Sequence, residues 1–187
     1  MKLFPALLFA GLLAGGPLSA SELDLSLNAD AVKLRGGFDL TNNIQVGGSW
    51  LYHQDKGHAL TADAYITGNA APGVQTLRVG LGLQLAYVDS DESTKEDGFA
   101  VPLGGYVRYR LPRYDRFSFG GSLHYAPGVL SFGDLDSYLS WDAWAGYDVI
   151  REATVYVGVR ALKPEFEEVG TQHMDTGLHL GVRVRLR

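Results

Sequence analysis

The 187-residue chain contains no cysteine, which removes disulfides, thiolate nucleophiles and thiolate metal sites from consideration. It has only seven prolines, no block of Lys or Arg, and a formal net charge of −5, so the basic footprint of a nucleic-acid-binding protein is absent. There is no linker, low-complexity tract or helical repeat, and the length suits one barrel or one core with no room for a second large domain. Stability must come from burial and hydrogen bonds. What the chain does have is 24 glycines and ten tyrosines, a composition that suits long strands packing closely inside and presenting aromatics outside.

Two segments define the fold class. From position 75 to 88, Leu77, Val79, Leu81, Leu83, Leu85 and Tyr87 alternate with Arg78, Gly80, Gly82, Gln84 and Ala86. From 178 to 186, Leu178, Leu180, Val182, Val184 and Leu186 alternate with His179, Gly181, Arg183 and Arg185. The period of two is that of a strand, and the length exceeds that of most soluble strands. One face suits hydrocarbon while the other carries charge, the pattern of a transmembrane β-barrel. A soluble periplasmic barrel that binds a ligand inside is the competing architecture, and extraction behaviour separates the two.

The first twenty residues supply a route to the membrane. Met1 and Lys2 precede an apolar run to Leu18, and Ser19, Ala20 and Ser21 are small, as in a secretory signal cleaved near Ala20. The run is short for a spanning helix and is interrupted by Pro5, Gly11, Gly15, Gly16 and Pro17. The expected organisation is therefore a cleaved signal over 1–20 and an outer-membrane barrel over 21–187, in a Gram-negative-type envelope.

Counting by twos predicts ten strands near 22–28, 31–40, 44–53, 58–68, 75–88, 98–111, 116–126, 136–149, 153–163 and 175–186. Short turns near 41–43, 112–115 and 150–152, with a slightly longer one at 69–73, are expected to face the periplasm with both termini. The longer acidic connectors at 89–97 and 164–174 face outward. The connector near Ala29 and Asp30 is short; if the two strands it joins merged, the barrel would fall to eight. Trp50, Tyr52, Tyr87 and Tyr125 form the expected external aromatic girdle, and Phe38, Tyr109, Phe117 and Tyr147 the periplasmic one. Leu34, Leu81, Leu83, Ala143, Val157 and Leu180 fill the band between them. The predicted fold is all-β, an up-and-down antiparallel transmembrane barrel.

The segments Leu34-Arg35-Gly36-Gly37-Phe38-Asp39-Leu40, Gly47-Gly48-Ser49-Trp50, His124-Tyr125-Ala126-Pro127 and Trp141-Asp142-Ala143-Trp144-Ala145-Gly146-Tyr147 resemble the YfaZ family of outer-membrane proteins. The resemblance covers the mature chain and implies fold and location, with no activity attached. The chain ends Leu186-Arg187, where outer-membrane barrels commonly end in an aromatic residue.

Function would reside in the lumen. The predicted inward set includes Asp24, Lys33, Arg35, Asp39, His53, Asp63, Arg78, Arg108, Arg110, His124, Asp142, Asp148, Arg160, His179, Arg183 and Arg185, with bases outnumbering acids. One reading is an Arg/Asp network filling a narrow barrel of structural or unassigned role, since buried charge needs partners and guanidinium pairs well with carboxylate. Another is a narrow anion-preferring channel, with Gly80, Gly82, Gly104, Gly120, Gly146, Gly158, Gly177 and Gly181 leaving the space. A third is a lipid-modifying enzyme using Ser122 and His124 on one strand face, with Asp142 as orienter; about 6 to 7 Å separates i and i+2 along a strand, so a hydrogen bond is allowed without being implied. No nucleophile elbow accompanies them. The histidines are not spaced as a helical metal pair, and no cofactor is expected. Expected partners are outer-membrane lipid and, during biogenesis, the barrel-assembly machinery; the chain is expected to be a monomer that binds no nucleic acid.

Overall fold

The computed structural model describes residues 19–70, 76–90, 96–167 and 170–186. Thirteen strands follow in order: β1 Ser19–Leu27, β2 Ala31–Thr41, β3 Ile44–His53, β4 Gly57–Asn69, β5 Leu77–Ser90, β6 Glu96–Ala100, β7 Leu103–Arg110, β8 Phe117–Ala126, β9 Ser131–Gly133, β10 Leu135–Ile150, β11 Ala153–Phe166, β12 Gly170–Thr171 and β13 Asp175–Leu186. Ten of them close a ring of antiparallel neighbours, β1-β2-β3-β4-β5-β7-β8-β10-β11-β13, and β13 returns to β1 through pairs such as Asp24 with Arg183. Closure leaves no unpaired edge in the ring.

The short first connector does make a turn. Asn28 Oδ1 accepts from the backbone N–H groups of Asp30 and Ala31, at 2.9 and 2.5 Å, an Asx-type reversal that needs few residues. β1 and β2 are therefore separate strands and the ring has ten. The strand predicted over 98–111 is instead divided into β6 and β7. Pro102 has no N–H to give the ladder; its carbonyl accepts from Gln84 N at 2.9 Å, while Val101 N donates to Leu130 O at 2.8 Å. Beyond this break β6 continues beside β5 and adds β9 on its other side, forming an extension at the loop end of the barrel.

Outward side chains are apolar along the strands. Leu81 is 72 % exposed and Leu180 66 %, with Leu25, Leu83, Val107, Leu123, Val157 and Val182 in the same belt. Tyr87 and Phe99 pack at 4.8 Å between centroids at the loop end, and Phe117 and Tyr147 at 5.0 Å at the end carrying the termini. Phe38 has the outward parity of its strand but is only 8 % exposed, unlike the rest of its predicted girdle. Apolar belt, flanking aromatics and ring closure together are the architecture of an outer-membrane-type barrel. Residues 1–18 of the expected export signal, and 91–95 of the acidic connector, lie outside the described residues.

Candidate functional site: the lumen

Alternation that turns leucine outward turns the charged partners inward, and the ring brings them together in layers. At the end carrying the termini, a vestibule of about 340 Å³ is lined by Arg78, Arg110 and Arg185 among others. Arg78 Nη2 lies 3.4 Å from Asp39 and 3.2 Å from Thr67 Oγ1. Arg110 donates to Asp148 at 3.1 Å, and Thr154 donates to the other Asp148 oxygen at 2.5 Å. Asp39 also accepts from Gln45 at 3.1 Å.

Beyond the vestibule the lumen is crossed by a bridge. Arg108 on β7 donates two bonds of 3.0 Å to the two oxygens of Glu22 on β1. These strands are five places apart in the ring of ten, so the bond spans the barrel. Glu22 is also 3.3 Å from Arg183 Nε, which donates to Asp24 at 2.8 Å; Asp24 in turn accepts from Tyr156 Oη at 2.5 Å. Arg183 lies over the Trp144 ring at 4.5 Å and the Tyr156 ring at 5.1 Å. A bidentate guanidinium–carboxylate pair with aromatic support is geometrically stiff.

On the far side lies a smaller polar chamber of about 150 Å³. The bridge residues Glu22, Arg108, Trp144 and Arg183, together with Gln45, line both spaces and stand between them. Around the chamber Arg35 makes a bidentate pair with Asp63, at 2.9 and 2.5 Å. Arg160 bonds Asp175 and, at 2.6 Å, Ser26. Ser49 and Thr61 share a hydrogen at 2.7 Å. His124 Nε2 pairs with Tyr65 Oη at 2.7 Å, whereas Ser122 Oγ donates to Asp142. The Ser122–His124 hydrogen bond that the enzyme reading needs is thus not made here, and the histidine's partner is a tyrosine. Among the described residues no group of His, Asp and Glu is placed to hold a metal ion.

The outermost layer is apolar. Leu51, Ala59, Ala86, Val88, Ala100, Ala126, Leu135, Tyr138, Leu162, Phe166 and Met174 form one buried cluster. Met174 and Val88 are fully enclosed, and Phe166 and Tyr138 are 1 % exposed. The interior positions here are as greasy as the exterior ones, so the barrel is capped on the loop side by a packed core. Asn28 bonding Asp175 at 2.6 Å and Ser90 bonding Gln172 at 2.9 Å tie the connectors over it.

Most of the inward glycines do not leave vacant space. Most of them face a ring from an adjacent strand: Gly80 opposes Tyr106, Gly82 opposes Tyr65, Gly104 opposes His124, Gly120 and Gly158 oppose Trp144, and Gly146 and Gly181 both oppose Tyr156, whereas Gly177 lies opposite Arg160 with open space beside it. A methyl group at Gly80, Gly120 or Gly181 would run into the ring lying over it. The space expected for solute is the seat of inward aromatics.

The residues predicted to line the lumen all take inward strand positions, and Arg35, Asp63, Arg108, Asp148, Arg160 and Arg183 join the networks above. Sequence reading missed Glu22 and Asp175, which stand at the first positions of their predicted strands, although Glu22, Asp24 and Ser26 share one parity. It also missed the inward rings of Tyr65, Trp144 and Tyr156, because aromatics were assigned to the girdles. The apolar cap had a signal: at 85–88, Leu-Ala-Tyr-Val, the inward-parity positions Ala86 and Val88 are as apolar as their outward neighbours.

Among solved structures, the chain resembles a KdgM porin, with a TM-score of 0.49 and 11 % identity over 90 % of this chain and 100 % of that one. It also resembles a KdgM porin in complex with disordered oligogalacturonate, with a TM-score of 0.48, 11 % identity and the same coverage. No curated protein sequence matches the chain. The family model described as YfaZ precursor matches residues 1–186, essentially the entire sequence, and the chain belongs to that family.

Proposed function

We propose that, once the signal over 1–20 is removed, this protein is a monomeric outer-membrane barrel of structural role whose lumen is closed to solute flow. The observation that carries the reading is the Arg108–Glu22 bridge, which joins opposite walls of the ring. The buried cluster around Phe166 and Met174 adds a second closure on the outer side. An Arg/Asp network of this kind is costly to open, because separating the partners leaves charge in a space of low dielectric. The role that follows is mechanical and interfacial: a rigid cylinder presenting apolar staves to lipid and turns to the periplasm.

The test has two parts. Protein from purified outer-membrane fractions should migrate differently unheated and boiled on a denaturing gel, and the purified barrel in planar bilayers should show no stable conductance. Recovery in the soluble periplasmic extract would overturn the membrane assignment, and reproducible single-channel steps would overturn closure. A second reading, the narrow anion-preferring channel, is favoured by the arginines at the vestibule; it requires both the bridge and the cap to move, and it predicts anion-selective steps.

A further inference from the structure

The vestibule at the end carrying the termini holds more cationic capacity than its own network uses. Five guanidinium groups line it: Arg78, Arg108, Arg110, Arg183 and Arg185. The carboxylates facing them are Glu22, Asp24, Asp39 and Asp148. Glu22 and Asp24 are consumed by Arg108 and Arg183. Asp148 takes one nitrogen of Arg110, and Asp39 sits at a long 3.4 Å from Arg78. Arg185 has no carboxylate within 4.0 Å among the described residues. The side chains of Arg78 and Arg110 keep 37 % and 42 % of their surface exposed, so their remaining N–H groups are open to the space they line. Hydroxyls of Thr76, Ser118 and Thr154 border the same cavity.

Among the described residues, five guanidiniums around about 340 Å³, paired with four carboxylates, leave one positive charge unbalanced and several donors unspent. The planar guanidinium fork matches the two oxygens of a carboxylate or phosphate, and such charge-assisted bonds are stronger than neutral ones. Low-dielectric walls concentrate this field at the mouth. Glu22, Arg108, Trp144 and Arg183 stand between this cavity and the next, and on the closed-lumen reading proposed above the cavity is a blind one. We infer that the vestibule is a periplasm-facing receptor for a small soluble oxyanion of two or more charges, a phosphorylated or polycarboxylated solute held between Arg78, Arg110 and Arg185. This goes beyond the structural role proposed above, and the anion leaves by the opening it entered.

The experiment is calorimetric titration of the full barrel in a zwitterionic detergent, at matched ionic strength, with pyrophosphate and citrate as probes and chloride as the control. Saturable one-site binding of at least one probe, with none for chloride, is expected. Arg185→Gln breaks no ion pair among the described residues, so it should fold, confirmed by its heat-modifiable mobility, and weaken binding at least about tenfold, the loss of one strong charge-assisted contact. Arg185→Lys, which keeps the charge and loses the fork, should fall between the two. Arg113→Gln, in the adjoining turn, should leave binding unchanged. Absence of saturable binding by both probes, or equal affinity in wild type and Arg185→Gln, overturns the proposal. So does an equal loss in Arg113→Gln, which would mean diffuse attraction to the rim. Conductance is independent of this readout, so failure of the closed-lumen reading and failure of the receptor are separately visible.

Discussion

Arg108 and Glu22 are hydrogen-bonded across the width of the barrel, through two bonds of 3.0 Å between strands on opposite sides of the ring. Most inward pairs join strands one to three places apart and fasten a wall to its neighbourhood. This one sets the distance between facing walls, and with Arg183 and Trp144 it lines both interior spaces.

Loss of that bridge should be felt as stability. In Arg108→Ala the Glu22 carboxylate keeps only Arg183, at 3.3 Å. Breaking a largely buried pair from one side costs about 3 kcal/mol, read by urea titration of the compact, heat-modifiable form. The double variant Arg108→Ala with Glu22→Ala should lose less than the sum of the singles, because no carboxylate is then stranded. A single-variant loss below about 0.5 kcal/mol would place the pair with ordinary surface ion pairs.

Permeability should respond differently, because the two closures lie in series. Arg108→Ala opens the partition but not the cap, and Tyr138→Ala with Phe166→Ala loosens the cap but not the partition. Neither set alone should give conductance steps in planar bilayers; all three substitutions together should. Steps in Arg108→Ala alone would show that the apolar cluster around Met174 already passes ions.

The outward half of this structure was legible in the sequence because lipid imposes one rule on every strand: alternate residues are apolar. Leu77 to Leu85 and Leu178 to Leu186 announce it without reference to any other strand. The inward half obeys no such rule. Arg108 and Glu22 are 86 positions apart, and their meeting depends on the ring closing with ten strands and a particular stagger. Parity placed Arg108 inside; nothing local said which carboxylate it would find. The glycines misled for the same reason. Gly181 looked like vacant lumen because its occupant, Tyr156, arrives from the next strand in the ring.

That occupancy is measurable. A methyl group at Gly181 collides with the Tyr156 ring, so Gly181→Ala should cost about 1–3 kcal/mol by overpacking. In a Tyr156→Ala background the same substitution should cost nearly nothing, since the ring that opposed it is gone. The coupling in this double-mutant cycle therefore approaches the full single-variant cost, as expected for residues in direct contact. Additive losses would mean that Gly181 is required for its backbone and not for the seat it provides.

The last prediction separates a membrane barrel from a soluble one with the same ring. Leu81 and Tyr114 are both well exposed, at 72 % and 59 %, but Leu81 lies mid-strand in the apolar belt and Tyr114 in the turn before β8. In water, arginine at either site replaces an exposed side chain and should change stability by no more than about 0.5 kcal/mol. In a bilayer the two environments differ: Leu81→Arg puts a guanidinium on the lipid face, at a cost of about 2–4 kcal/mol near the midplane, while Tyr114→Arg stays in the wet interfacial region, at about 0–1 kcal/mol. Unfolding of both variants from phospholipid vesicles, compared with wild type, reads the difference directly. A large loss confined to Leu81→Arg is the signature of hydrocarbon around the strands, and equal small losses at both positions would mean that water surrounds them.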